Sequence, residues 1–268
     1  MNKHLEIAIS AAKEAGELVI SKLGKSKISQ KGTTNNLVTE ADIASEQLIA
    51  ERITKAFPEA LILGEESHKV KDLDSSNLWI IDPLDGTNNY AHGIPQFSIS
   101  IAYSENGIVR IGVVYDPTKD ELFIAERGKG STLNGKTIAV SRNRSLQDSI
   151  IATGFYYDRG EILDNTIKAI YQLFQANIQC IRRMGSAALD LCWVACGRFD
   201  AYYEYMLSPW DFAAGTLVLE EAGGVWCDRE GAIHGLESKG IISSNGLLQE
   251  DILEIIRYSK VGQNKIEL

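Results

Sequence analysis

Trp79-Ile80-Ile81-Asp82-Pro83-Leu84-Asp85-Gly86-Thr87-Asn88-Asn89-Tyr90 sets two carboxylates and a hydroxyl directly behind an apolar run. Leu78 to Ile81 reads as a short buried strand that Pro83 and Gly86 stop, so Asp82 stands at the strand's end and the turn brings Asp85 back beside it. Two like charges that close raise each other's free energy unless a cation or proton intervenes. Oxygen ligands of this kind suit a hard metal such as magnesium. A plain surface turn would use the same residues, because Asp, Pro and Gly are turn formers in their own right. What surrounds the stretch has to decide between the two.

A chain of 268 residues has room for one large domain or two closely packed halves. With 44% hydrophobic and 24% charged residues it has the composition of a globular protein rather than a disordered one. The net charge of -9 argues against a nucleic-acid partner. Cys180, Cys192, Cys196 and Cys227 show no zinc-ligand or C-x-x-C spacing and read as reduced residues of a cytoplasmic protein. Lys3, Glu6, Lys13, Glu14 and Glu17 interrupt any signal-peptide core, and no apolar run reaches membrane-spanning length, so no membrane is expected.

Outward from the central stretch the pattern alternates. Leu5, Ala8, Ile9, Ala12, Ala15, Val19 and Leu23 recur at helical steps up to Gly24. A polar loop with Lys31 follows, and Thr39-Glu40-Ala41-Asp42 then forms a capping box for a second helix carrying Ile49 and Ile53. Leu61-Ile62-Leu63 reads as a strand ending in Gly64-Glu65-Glu66-Ser67, a second acidic pair at a strand end. Phe97 to Tyr103, Ile108 to Tyr115 and Glu121 to Ala125 predict an antiparallel meander. Residues 128–135 read as loop, and Ile138-Ala139-Val140 as a further strand.

The second half returns to helix and strand in turn. Residues 162–175 read as helix and Ile178 to Ile181 as strand. Gly185 to Cys196 reads as a helix apolar nearly all round, hence deeply buried. Its Gly185-Ser186 start, behind Arg182 and Arg183, would offer backbone N–H groups and positive dipole to an anion, unless Gly185 serves only close packing. Phe199 to Tyr205 is strand-like. Ser208, Pro209 and Asp211 fit the opening turn of a last buried helix that ends at Gly223-Gly224.

Taken together and in order, these segments resemble the inositol monophosphatase family, within the metal-dependent, lithium-sensitive sugar phosphatases. The likeness runs through Lys31, Leu37 to Asp42, Gly64 to Ser67, Trp79 to Tyr90, Gly185 to Ala188, Tyr202-Tyr203-Glu204, Trp210 to Gly215 and Glu221 to Gly224. Asp-Pro-x-Asp-Gly-Thr paired with Trp-Asp-x-Ala-Ala-Gly is specific where either alone is weak. The resemblance implies an α/β (α+β) fold, a layered α-β-α-β-α sandwich with mixed and antiparallel sheets. It would form a single domain over 1–268, its two packed halves, roughly 1–145 and 146–268, sharing one active site.

The resemblance also implies roles. Glu65, Asp82 and the backbone carbonyl of Leu84 would bind one magnesium, Asp82, Asp85 and Asp211 a second, and Glu65 a further weak one, roughly two to three Mg2+ per site. Gly86, Thr87 and the helix start at Gly185 would hold the phosphate, with Ser186, Ala187, Glu204 and Arg182 touching the alcohol. Thr87, oriented by Asp42, would polarise the attacking water, Glu65 serving the same step through its metal. His92 reads as structural. The implied reaction is hydrolysis of a small polyol phosphate without a covalent intermediate, with myo-inositol 1-phosphate as leading substrate. Fructose 1,6-bisphosphate, histidinol phosphate and adenosine 3′,5′-bisphosphate are the alternatives. A homodimer is expected, and a regulatory or interaction protein retaining the fold is the competing class.

Overall fold

Ala8, Ala11, Ala12 and Ala15 form a fully buried seam along helix α1 (Lys3–Lys22), and small side chains there let the helix lie close against its neighbours. The computed structural model describes residues 2–30 and 37–257. Strand β1 (Ile28–Gln30) pairs antiparallel with β2 (Leu37–Thr39), so part of the expected polar loop is a small hairpin; Lys31 lies outside the described residues. Thr39 caps helix α2 (Glu40–Ala56), accepting from the Ala41 amide at 3.1 Å while Asp42 Oδ2 accepts the Thr39 amide at 2.8 Å, the expected capping box.

Next come β3 (Leu61–Gly64), β4 (Leu78–Asp85), a short helix α3 (Thr87–Ala91), and the meander β5 (Ser98–Glu105), β6 (Ile108–Asp116) and β7 (Glu121–Glu126). Strands β8 (Ser131–Leu133) and β9 (Lys136–Thr137) complete a seven-stranded sheet in the order β3 to β9, parallel only between β3 and β4. Two sequence expectations shift here: a strand runs inside the 128–135 loop, and residues 138–140 form no strand. The backbone at Val140 bonds instead to the Ala222 carbonyl.

The second half gives β10 (Ile150–Thr153), α4 (Glu161–Gln175), β11 (Cys180–Arg182), α5 (Ala187–Ala195), β12 (Ala201–Glu204), α6 (Pro209–Glu221), β13 (Val225–Cys227), β14 (Ile241–Ser244) and α7 (Gln249–Ile256). Its five-stranded sheet has the order β11-β10-β12-β14-β13. Helices α1 and α2 cover one face of the seven-stranded sheet. Helices α5 and α6 fill the space between the two sheets, and α4 with α7 covers the outer face of the smaller one. The result is the expected α-β-α-β-α sandwich with mixed sheets. It explains why α5 and α6 are apolar all round: each is covered by a sheet on both sides.

The central strand departs from its expected reading in a consequential way. Pro83 does not stop it; β4 continues to Asp85, and every residue from Leu78 to Asp85 is buried. Asp82 lies opposite Ser100 and Asp85 opposite Ser98, so three steps on β4 span two on β5, a bulge that absorbs the proline lacking an N–H. In a regular strand residues three apart face opposite sides. The extra residue turns Asp85 back onto the side of Asp82, doing by a bulge what the sequence assigned to a turn.

Candidate active site

A cleft of about 680 Å³ opens where β4, α3, the start of α5, the end of β12 and the start of α6 meet. Glu65, Asp82, Leu84, Asp85, Gly86, Thr87, Gly185, Ser186, Ala187, Glu204 and Asp211 all line it, so residues spread over half the chain converge as expected. Asp42 stands behind the wall and acts through Thr87, whose Oγ1 donates to Asp42 Oδ1 at 2.8 Å and lies 3.1 Å from the Leu84 carbonyl. Burial pushes the Asp42 carboxyl up, against hydrogen bonds from Thr39 and Thr87 that pull it down.

Electrostatically the cleft is strained by design of its sequence. Burial raises Asp82 well above the usual carboxylate range, and Glu65, Asp85 and Asp211 each raise it further. Asp211 is raised in the same way, by burial and then by Glu65 and Asp85. Asp85 is pushed up to about 6, burial outweighing the hydrogen bonds it accepts. Glu204, across the cleft, is pushed up to about 7, also by burial. Five carboxylates, several of which oppose one another's ionisation in one cleft, form a site waiting for positive charge.

Residues 1–260 match the profile of the inositol monophosphatase family. The chain belongs to that family. It is 42% identical over 253 residues to an inositol-1-monophosphatase of Synechocystis sp., covering 94% of this chain and 88% of the relative. It is also 42% identical over 260 residues to a protein of Haemophilus influenzae named Nus factor SuhB, covering 96% and 97%. Among solved structures, an IMPase of Thermotoga maritima superposes with a TM-score of 0.87 at 38% identity, covering 95% of this chain and 97% of the other.

Inositol monophosphatases are in general metal-dependent. Among the described residues of this member, no three His, Cys, Asp or Glu side chains stand already closed around an ion position. The donor set nevertheless fits a hard divalent cation: several carboxylate oxygens, the Leu84 carbonyl with a second lone pair to give, and mutual repulsion that a cation would relieve.

One family expectation needs correction, and a second meets a contact that the sequence did not show. Arg182 is exposed at the end of β11, turns its guanidinium to the Ile181 carbonyl and does not line the cleft; Arg183 does. In a strand, neighbouring side chains alternate in direction, so the choice between adjacent arginines follows from register that the sequence alone does not fix. The start of α5 lines the cleft as expected but is partly engaged from within the chain. Helix α5 begins at Ala187 with Ser186 as its cap, and Asp85 Oδ2 already accepts the Ala188 amide at 2.8 Å and the Ser186 hydroxyl at 2.6 Å. An internal carboxylate thus meets the positive end of α5.

Gly86 and Thr87, at the start of α3, also line the cleft. Gly86 has φ of 100°, and a Cβ there would press on the carbonyls of Gln96 and Gly185 at 3.0 and 3.1 Å, so the two halves of the molecule touch backbone to backbone at this point. Asn89 fixes the approach by donating to Gln96 and Met184 carbonyls, both at 2.7 Å. His92 follows α3, with Nδ1 2.8 Å from the Asn88 carbonyl, and also lines the cleft.

Several residues that line or support the cleft escaped the sequence reading as parts of the site. Ser45, one turn after Asp42, donates to the Pro83 carbonyl at 2.8 Å and pins the bulge. Tyr202, two residues before Glu204 and on the same face of β12, donates to Glu204 Oε2 at 2.9 Å. Gly154 follows β10 beside Glu204, where any side chain would overlap that carboxylate. The i, i+3 spacing of Asp42 and Ser45 and the i, i+2 spacing of Tyr202 and Glu204 were the signals available in advance. Gly154 gave none.

Proposed function

We propose that this protein is a magnesium-dependent phosphomonoesterase acting on a small polyol phosphate, with myo-inositol 1-phosphate as leading substrate. The observation that carries the reading is the convergence of Glu65, Asp82, Asp85 and Asp211 with the Thr87–Asp42 pair on one cleft. Magnesium, when bound by Glu65, Asp82, Asp85, Asp211 and the Leu84 carbonyl, would supply charge neutralisation and Lewis acidity. The chain does the rest. Because Thr87 Oγ1 donates to Asp42 Oδ1, the hydroxyl can accept a hydrogen bond from water in the cleft and relay its proton, taking the water's proton as it passes its own to Asp42. The backbone at Gly86 and Thr87 orients phosphate oxygens. Glu204, held by Tyr202, accepts a hydroxyl of the alcohol, and Ser186, Ala187 and Arg183 complete that wall.

The test is a panel of phosphate esters offered to the purified protein with Mg2+ and with chelator. Turnover undiminished in excess chelator would sink the metal reading, and failure on every polyol phosphate the substrate reading. Inhibition by lithium, as the family resemblance implies, is part of the same proposal. Its partner is a second copy of the chain: Ile167, Tyr171 and Phe174 leave an uncovered apolar stripe at helical spacing along α4. Light scattering at the mass of one chain would refute that. The four free cysteines and the acidic composition support a cytoplasmic setting, and no helix among the described residues is long and apolar enough to cross a membrane. A second reading, a regulatory role beside or instead of catalysis, draws support from the relatives named Nus factor. The full set of carboxylates favours the catalytic one.

A further inference from the structure

Helix α2 presents a third polar side chain on the face that carries Asp42 and Ser45, and the chemistry proposed above does not use it. Glu46 is 0% exposed, yet no lysine or arginine pairs with it among the described residues. Its carboxylate instead gathers the loop behind β3. Oε2 accepts the Glu66 amide at 2.8 Å; Oε1 accepts the Ser67 amide at 2.9 Å, the Ser67 hydroxyl, and lies 2.8 Å from His68 Nδ1. The approach is so close that a Cβ on Gly64 would stand 3.2 Å from Oε1 and closer still to the rest of the carboxylate. Burial pushes Glu46 up, but hydrogen bonds from Ser67, His68 and the Glu66 and Ser67 amides outweigh it and hold the group below its ordinary value.

Every partner of Glu46 belongs to the segment that carries Glu65. The far side of that segment is tied as well: Lys69 Nζ donates to the Glu65 carbonyl at 2.9 Å and lies over the Trp210 ring at 5.0 Å, next to Asp211. A buried carboxylate contributes little to packing that an apolar residue of similar size would not, and leaving it without donors would be costly. Its donors therefore say what it is for.

We infer that Glu46 is a positioning residue for the metal site, a clamp that holds residues 64–68 so that Glu65 faces Asp82 and Asp211. The inference rests on the metal reading of the cleft. Outer partners that orient ligands typically matter about 10- to 100-fold in metal affinity.

The experiment compares wild type with Glu46→Gln, which keeps the size, and with Glu51→Gln, an exposed carboxylate of the same helix. Mg2+ is titrated calorimetrically, and amide hydrogen exchange at Glu66 and Ser67 is followed in chelator. The expected result is Mg2+ binding weakened roughly 10- to 100-fold in Glu46→Gln, faster exchange at both amides, and neither change in Glu51→Gln. Wild-type Mg2+ affinity in Glu46→Gln overturns the inference. If wild type itself binds no Mg2+, the metal reading falls, and exchange in the metal-free protein decides for the clamp: protection unchanged in Glu46→Gln overturns it. Should Glu46→Gln fail to fold, Ser67→Ala and His68→Ala each remove one partner at the surface. Weaker Mg2+ binding in either supports the clamp, and unchanged binding in both overturns it.

Discussion

Replacing Gly154 by alanine tests the alcohol side of the cleft without touching any group proposed to bind metal or phosphate. The added methyl carbon would stand 2.9 Å from Glu204 Oε1 and nearer still to Cδ and Oε2, well inside the 3.4–4 Å of ordinary contact. Gly154 has no positive φ, so alanine brings no backbone strain and the collision is the whole effect. Either the glutamate swings away and gives up the Tyr202 hydroxyl at 2.9 Å, or β10 and β12 shift apart. Overpacking of this kind costs about 1–3 kcal/mol, and in a chain of this size about 2–4 °C of Tm per kcal/mol. A hydrogen bond to a charged group is worth about 1.5–3 kcal/mol. Steady-state kinetics on two substrates should therefore diverge. KM for a polyol phosphate rises roughly 10- to 100-fold, while a phosphate ester with no free hydroxyl changes within about twofold. In a Glu204→Ala background Gly154→Ala should add almost nothing, because the carboxylate it displaces is gone. Equal losses on both esters, or a full loss in that background, would refute the argument.

Three further outcomes follow from the cleft. Asp211→Asn keeps an acceptor for the Ser208 amide at 2.6 Å but removes the charge, so unfolding free energy in chelator should hold within about 1 kcal/mol while turnover at saturating Mg2+ falls roughly 100-fold or more; near-normal turnover would remove Asp211 from the site. Thr87→Ala should cost about 10²–10⁴ in kcat, and Thr87→Ser should restore most of it; an alanine variant within tenfold of wild type would separate the Thr87–Asp42 pair from proton transfer. In chelator, stability should fall as pH rises from about 4 to 7: Asp85 near 6 and Glu204 near 7 hold protons in the folded state that their unfolded counterparts, at about 4, have already released. Magnesium should flatten that slope, and a Tm that climbs from pH 5 to pH 8 in chelator would contradict it.

What the sequence disclosed, it disclosed through periodicity and motif. The layers, the capping box at Thr39 and the convergence of Glu65, Asp82, Asp85 and Asp211 on one cleft were all readable, because helix period, strand alternation and family motifs speak locally. What stayed hidden depended on three-dimensional register. Whether Pro83 ends a strand or sits in a bulge is settled by the pairing of β4 with β5, and which of Arg182 and Arg183 faces inward by the pairing of β11. The capture of the α5 start by Asp85 joins residues 103 apart in the chain. A glycine such as Gly154 carries no side chain to announce itself, and its meaning lies in the neighbour whose space it leaves.

The alanine seam of α1 has a bearing on evolution as much as on packing. One helix, α2, holds Thr87 through Asp42 and the bulge through Ser45, and it packs against α1, whose Ala8, Ala11, Ala12 and Ala15 share one buried cluster with Ile49 and Ile53. A methyl or two added anywhere along that seam would rock α2 like a beam on a displaced bearing, moving both attachments together. Drift at these alanines, remote from the cleft and chemically silent, would therefore be filtered by the loss of catalytic alignment before it was filtered by the loss of the fold. The far wall of the sandwich should be as intolerant of change as the site it never touches.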